Sequence, residues 1–150
     1  MGIEELLNED QIITQLRGQD KVQVIEELLD LLVTNKKIKH RDICFQDLME
    51  REELLSTGLE NGLAVPHAKT TATDKIVVSL GLSRQGLDFT SADGKPTHFV
   101  FLVVSPMDTS GPHLKILAQI SRIFKKRGVG EQLLNSKNSA EIMKIIHNFK

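Results

Sequence analysis

The run Phe99-Val100-Phe101-Leu102-Val103-Val104 is the strongest constraint on what this chain can fold into. A strand with one wet face alternates apolar and polar side chains, so an apolar run without alternation must be covered on both faces. Pro96 and Pro106 bound it, and neither can serve inside a ladder because proline has no N–H. Covering both faces takes a layer on each side, and helical patterns lie before and after the run. The expected fold is α/β, a three-layer sandwich with a mixed β-sheet flanked by helices on both faces.

Those patterns can be placed residue by residue. Gly2 to Leu7 has room for a single helical turn, and Ile12-Ile13-Thr14-Gln15-Leu16 reads as a strand ended by Gly18. Asp20 is a good N-cap with Gln23 as its capping-box partner, opening a helix with Val22, Ile25, Leu28, Leu29 and Leu32 on one face and an end near Asn35. A second helix is expected from about Asp42 to Arg51, with Ile43, Leu48 and Met49 as a weaker stripe. Thr70 to Lys75 reads as a loop, Ile76-Val77-Val78-Ser79-Leu80 as a strand closed near Gly81, and Leu87-Asp88-Phe89 as a possible short strand before the Asp93-Gly94 turn. A third helix from about Ser110 should carry Leu114, Leu117, Ile120 and Phe124 inward. Lys125-Lys126-Arg127 at its end complements the dipole. A short helix over Glu131 to Leu134 precedes a last one, capped by Asn138 with Glu141 and carrying Ile142, Ile145, Ile146 and Phe149.

No linker, repeat or low-complexity tract interrupts this series, so residues 1–150 read as one domain. A chain of that length buries about 70% of its unfolded surface. The formal net charge of −1 offers no electrostatic case for nucleic acid or an anionic membrane. No apolar run approaches a membrane span and no signal peptide opens the chain. A single cysteine, Cys44, excludes an internal disulfide and fits a reducing cytoplasm, and it reads as a small helix hydrophobe.

Chemistry-bearing residues are few. Leu63-Ala64-Val65 is a short apolar run that Pro66 stops, so His67 is expected where a strand end opens into a loop. Such a position suits a reactive imidazole; an ordinary surface or half-buried histidine is the alternative, and the more common one. Among the other histidines, His40, His98 and His147 read as structural or solvated. His113 follows Gly111-Pro112 in the first turn of a helix, where the dipole favours a neighbouring anion and disfavours an imidazolium; mere packing is the alternative.

Two stretches carry a resemblance. Arg51-Glu52 through Ser56-Thr57-Gly58 to Gly62, Ala64 and Pro66-His67 resembles the R-E-x-x-x-S-T-G-x-x-x-G-x-A-x-P-H signature of the IIA component of the bacterial phosphoenolpyruvate-dependent phosphotransferase system, in its fructose–mannitol and nitrogen-regulatory branch. Ser105-Pro106 and Gly111-Pro112-His113-Leu114-Lys115-Ile116-Leu117-Ala118 resemble that family's second signature.

The resemblance implies that His67 is the phosphorylated residue and His113 an accessory one beside it. Arg51 would neutralise phosphate charge through its planar fork. Ser56 and Thr57 would be hydroxyl donors to phosphate, or else turn residues. Lys69 is a weaker candidate. Phosphoryl transfer wants a neutral attacking nitrogen and positioned donors for spread negative charge, which these residue types supply. It also implies an HPr-like phosphohistidine carrier as donor, a IIB domain as acceptor, a cytoplasmic location, and no metal or cofactor. The alternative is a nitrogen-regulatory module whose phosphorylation switches contacts without sugar transport, towards which a chain with no fused IIB segment leans. A metallohydrolase is the poorer reading, because the histidines lack an H-E-x-x-H or H-x-H spacing.

Overall fold

The computed structural model describes residues 2–150. Its elements begin with one turn, α1 (Ile3–Leu6), a 3-10 turn (Glu9–Gln11), strand β1 (Ile12–Ile13), and helices α2 (Lys21–Thr34) and α3 (Arg41–Leu54). Strands β2 (Leu63–Ala64), β3 (His67–Thr70), β4 (Val77–Leu87) and β5 (Thr97–Pro106) follow. Helices α4 (Ser110–Lys125), α5 (Val129–Leu134) and α6 (Ser139–Phe149) complete the chain.

The uninterrupted apolar run forms the middle of β5, and both of its faces are buried. Phe99, Phe101 and Val103 join a core with Ile116, Ile120 and Ile123 of α4 and Ile142 and Ile146 of α6. Val100, Leu102 and Val104 point the other way, into a core with Ile25, Leu28, Leu29 and Leu32 of α2 and Leu48 of α3. Alternate residues of one strand therefore fill two separate cores, which is why the sequence shows no alternation. The fold is the mixed-sheet sandwich expected: β5 pairs antiparallel with β4 and parallel with β2 and β3, and β1 adds parallel to the far edge of β4.

Several expectations are corrected in detail. β1 covers only Ile12–Ile13, because the chain leaves the sheet at Thr14, whose carbonyl accepts from Arg84 Nη1 at 2.6 Å. β4 passes straight through Gly81; a Cβ there would meet Leu16 Cδ2 at 2.5 Å, so this glycine admits a neighbouring side chain and ends nothing. Leu87 closes β4, and Leu87-Asp88-Phe89 forms no short strand of its own. Val22 is exposed, and Val24 faces the core instead. At 100° per residue Val22 lies about 90° from the centre of the α2 stripe, on its rim. Ile43 likewise faces solvent, while Cys44 packs inward with Leu48 one turn on. Asp20 does cap α2, accepting from Gln23 N–H at 2.8 Å, but the Gln23 amide oxygen takes the Gln19 N–H. Leu114 is 64% exposed. It sits about 130° from the α4 core stripe, which runs through Ile116 instead.

His67 does not open into a loop either. Pro66 separates two short strands on the same edge of β5, with Leu63 and Ala64 opposite Phe99 and Val100 and His67 opposite Val103. The missing proline N–H falls in the gap between them, and Pro66 still gives its carbonyl to Val103 N–H at 2.9 Å.

Candidate functional site

At the start of β3, the C-terminal half of α3 and the first turns of α4 enclose an open cleft of about 650 Å³. His67, Lys69, His113 and Ser110 lie along it, with Asp47, Glu50 and Arg51 of α3 opposite. Leu54, Met107 and Leu114 form an exposed apolar rim.

Period-two geometry puts His67 and Lys69 on the cleft side of β3, while Ala68 goes into the α2–α3 core. His67 is half-buried, and its Nδ1 lies 2.6 Å from the Val65 carbonyl oxygen. A carbonyl can only accept, so Nδ1 carries the proton and Nε2 keeps its lone pair. Burial holds the His67 pKa below its ordinary 6.5; the Val65 bond pulls upward, the Arg51 cation lowers it further, and Glu52 pulls up.

His113 is buried to 5% exposure, and its ring centroid is 5.5 Å from that of His67 at a 52° tilt. Its Nδ1 is 2.6 Å from Ser105 Oγ at the end of β5. Burial, then the proximity of His67 and Lys69, pushes its pKa down to about 4, so the ring is neutral at neutral pH. Lys69 Nζ donates to Ser110 Oγ at 2.7 Å, tying the strand to the start of α4.

Arg51 enters the cleft from the last turn of α3, where Nη1 also donates to the Leu55 carbonyl at 2.8 Å. The hydroxyls of Ser56 and Thr57 are engaged elsewhere. Ser56 Oγ donates to the Phe89 carbonyl and accepts from Gly58 N–H at 3.1 Å, and buried Thr57 gives both its hydroxyl and its N–H to the Glu52 carboxylate. Glu52 is itself buried and paired with Lys21 at 3.4 Å. The structure thus brings His67, His113, Arg51 and Lys69 together and leaves Ser56 and Thr57 as braces of the loop before β2.

The other histidines stand apart. His40 is exposed just before α3, His147 is exposed on α6, and His98 is tied to the Ser83 carbonyl at 2.8 Å. Three groups that hold the cleft's side chains are not singled out by the sequence: Ser110 on its lining, and the Val65 carbonyl and Ser105 buried behind it. Only Ser105 left a signal, as the polar residue that ends the most apolar run in the chain.

The family model for "Phosphoenolpyruvate-dependent sugar phosphotransferase system, EIIA 2" matches residues 5–149. The chain belongs to this family. Among IIA relatives, the fructose-specific EIIA component of Haloferax volcanii is 35% identical over 84% of this chain and 82% of that protein. A fructose-specific EIIABC component of Bacillus subtilis is 31% identical over 98% of this chain, which spans only 23% of that longer protein. Among solved structures, the nitrogen regulatory protein IIA-Ntr of Neisseria meningitidis superposes with a TM-score of 0.88 at 27% identity, covering 96% of this chain and 98% of that one. The IIA fold accounts for the layered architecture. No helix among the described residues is long and apolar enough to cross a membrane.

Proposed function

We propose that residues 1–150 are a cytoplasmic IIA unit that accepts a phosphoryl group on His67 Nε2 from an HPr-like phosphohistidine carrier protein and passes it to a IIB domain. The observation that carries this is the Val65 clamp on Nδ1, 2.6 Å long, which presents a neutral imidazole lone pair to an open cleft. The Nε2 lone pair attacks phosphorus as the donor's P–N bond breaks, and the donor nitrogen keeps the electron pair. His67 retains its Nδ1 proton on Val65 throughout, so no base is needed. The transferred group spreads its charge over three oxygens, and Arg51, Lys69 and an N–H of His113 are the positioned donors that meet it. Ser56 and Thr57 act on the site through the loop they hold. Onward transfer reverses the same geometry, and in the Bacillus relative the A, B and C components share one chain.

The likeness to IIA-Ntr favours a second reading, in which phospho-His67 is a label that changes which regulatory protein this surface binds. One experiment separates the two. The protein is incubated with phosphoenolpyruvate and the general carrier proteins, and acid-labile phosphate is followed on wild type and His67→Ala, then chased into a panel of IIB domains. Labelling confined to wild type with discharge into a IIB domain is the expected result. Labelling without discharge into any of them favours the regulatory reading, and labelling of the His67→Ala variant overturns the assignment.

A further inference from the structure

We propose that Ser105 is a positioning residue that fixes His113 as an Nε2–H donor facing His67. Ser105 is fully buried at the end of β5, opposite Lys69 in the ladder. Its hydroxyl has one hydrogen-bond partner among the described residues, His113 Nδ1 at 2.6 Å. Two proton arrangements fit that distance. In one, Nδ1–H donates to Oγ, and the hydroxyl proton is left inside the protein with no acceptor. In the other, the hydroxyl donates to Nδ1, and both groups are satisfied. A buried donor without a partner is the costlier state, by about tenfold or more in population. The hydroxyl therefore donates, and the single proton of the neutral imidazole must sit on Nε2.

Nε2 has no hydrogen-bond partner among the described residues, and its ring lines the cleft beside His67. The two histidines are thus held in opposite tautomers by two different acceptor–donor choices. Val65, which can only accept, leaves His67 with a lone pair outward. Ser105, which must donate, leaves His113 with a proton outward. An anionic group arriving at His67 then meets an N–H on the neighbouring ring. With the tautomers exchanged it would meet a lone pair. The low pKa of His113 makes this matter, since an imidazolium would carry both protons and need no such arrangement.

The inference rests on the phosphoryl-acceptor reading for its purpose, but it is tested without a phosphate donor. Nitrogen-15 imidazole NMR on the full chain at neutral pH reads the tautomer directly. Expected are a protonated Nε2 and bare Nδ1 on His113, with the reverse on His67; a protonated Nδ1 on His113 overturns the assignment. Ser105→Ala should lose the pure Nε2–H signature and slow single-turnover acceptance about tenfold, with affinity for the carrier protein unchanged. Ser105→Thr, which keeps the hydroxyl, should recover both. Unaltered tautomer and rate in a folded Ser105→Ala protein overturn the proposal. Failure of His67 labelling is recorded by a separate assay, so the two readings fall separately.

Discussion

Glu52 holds Thr57 twice, accepting its backbone N–H at 2.7 Å and its hydroxyl, while Lys21 stands 3.4 Å from the same carboxylate. This brace ties the end of α3 to the loop that leads into β2 and on to His67. Glu52→Ala leaves the buried N–H and hydroxyl of Thr57 without their acceptor and the partly buried Lys21 ammonium without its counter-ion. The expected loss is about 2–4 kcal/mol, from the unsatisfied groups and the broken pair. Glu52→Gln keeps the shape and one acceptor and should cost less. Urea midpoints for the two variants check this; equal stability to wild type in both would show that the brace is idle.

Arg51 has a double attachment as well, to the α3 terminus through Leu55 and to the cleft beside His67. Arg51→Lys keeps the charge and loses the planar two-pronged fork. Phosphoryl acceptance should slow by about tenfold while the fold persists. Stopped-flow or quench transfer from the phosphorylated carrier, alongside circular dichroism, separates the effects. Unchanged kinetics would leave Arg51 as a helix-end residue only.

The layered fold was legible because one strand had to be dry on both sides, and the helices were legible wherever their stripes were centred on the core. Val22 is misplaced because an apolar residue on a helix rim matches the periodicity nearly as well as one at the centre, whereas Ile43 and Leu114 lie well outside their core stripes and face solvent. Leu114 is the informative case, because its exposure places it in the rim of the cleft. The two signatures single out His67, His113 and Arg51, and the fold brings these three residues to one cleft. Ser56 and Thr57 stay open in the sequence between phosphate donors and turn residues because a hydroxyl's partner is a tertiary fact, and here those partners are Phe89, thirty-three residues on, and a buried carboxylate. The Val65 carbonyl carries no side-chain signal at all.

The two histidines predict two separate losses in acid, one of transfer and one of stability. His67 attacks only when neutral, and its pKa lies below 6.5, so acceptance should be flat above that pH and fall as acid protonates Nε2. For stability, His113 has a folded pKa of about 4 against an ordinary 6.5, so the unfolded chain takes up the proton first as pH drops. The unfolded state then binds more protons, and stability rises with pH inside that window. The contribution of His113 is complete above pH 6.5 and is lost by about pH 4, about 3 kcal/mol in all. Denaturant midpoints across the window, for wild type and His113→Gln, check this. The wild type should lose more than the variant, and parallel losses would contradict it.

The apolar rim predicts a separation of binding from chemistry. Leu54, Met107 and Leu114 are 83%, 58% and 64% exposed around a polar cleft, an arrangement suited to a partner with an apolar contact surface. Leu114 lies off the core stripe, and Leu114→Ser removes its exposed apolar surface without adding a charge to the cleft. It should raise the KM for the phosphorylated carrier about tenfold, with kcat little changed and the melting temperature preserved. A fall in kcat with unchanged KM would instead place Leu114 in the transfer step.

His113 should assist transfer without carrying phosphate. It offers a single N–H from a ring 5.5 Å from His67, and that bond becomes charge-assisted once a phosphoryl group arrives. Such a bond is worth about 1.5–3 kcal/mol, of which a part stabilises the transition state. His113→Ala should therefore slow acceptance by about one to two orders of magnitude. His113→Gln retains an amide donor of similar reach and should be less damaged. Both variants should still label on His67, because the Val65 clamp that exposes its Nε2 does not involve His113. Their phosphorylated forms should also hydrolyse faster, having lost a donor to the bound group. Single-turnover transfer in both directions, with His67→Ala as the blank, measures each of these. Equal rates for wild type and both His113 variants would remove His113 from the site, and complete loss of acceptance in a folded His113→Ala protein would make it a carrier in its own right.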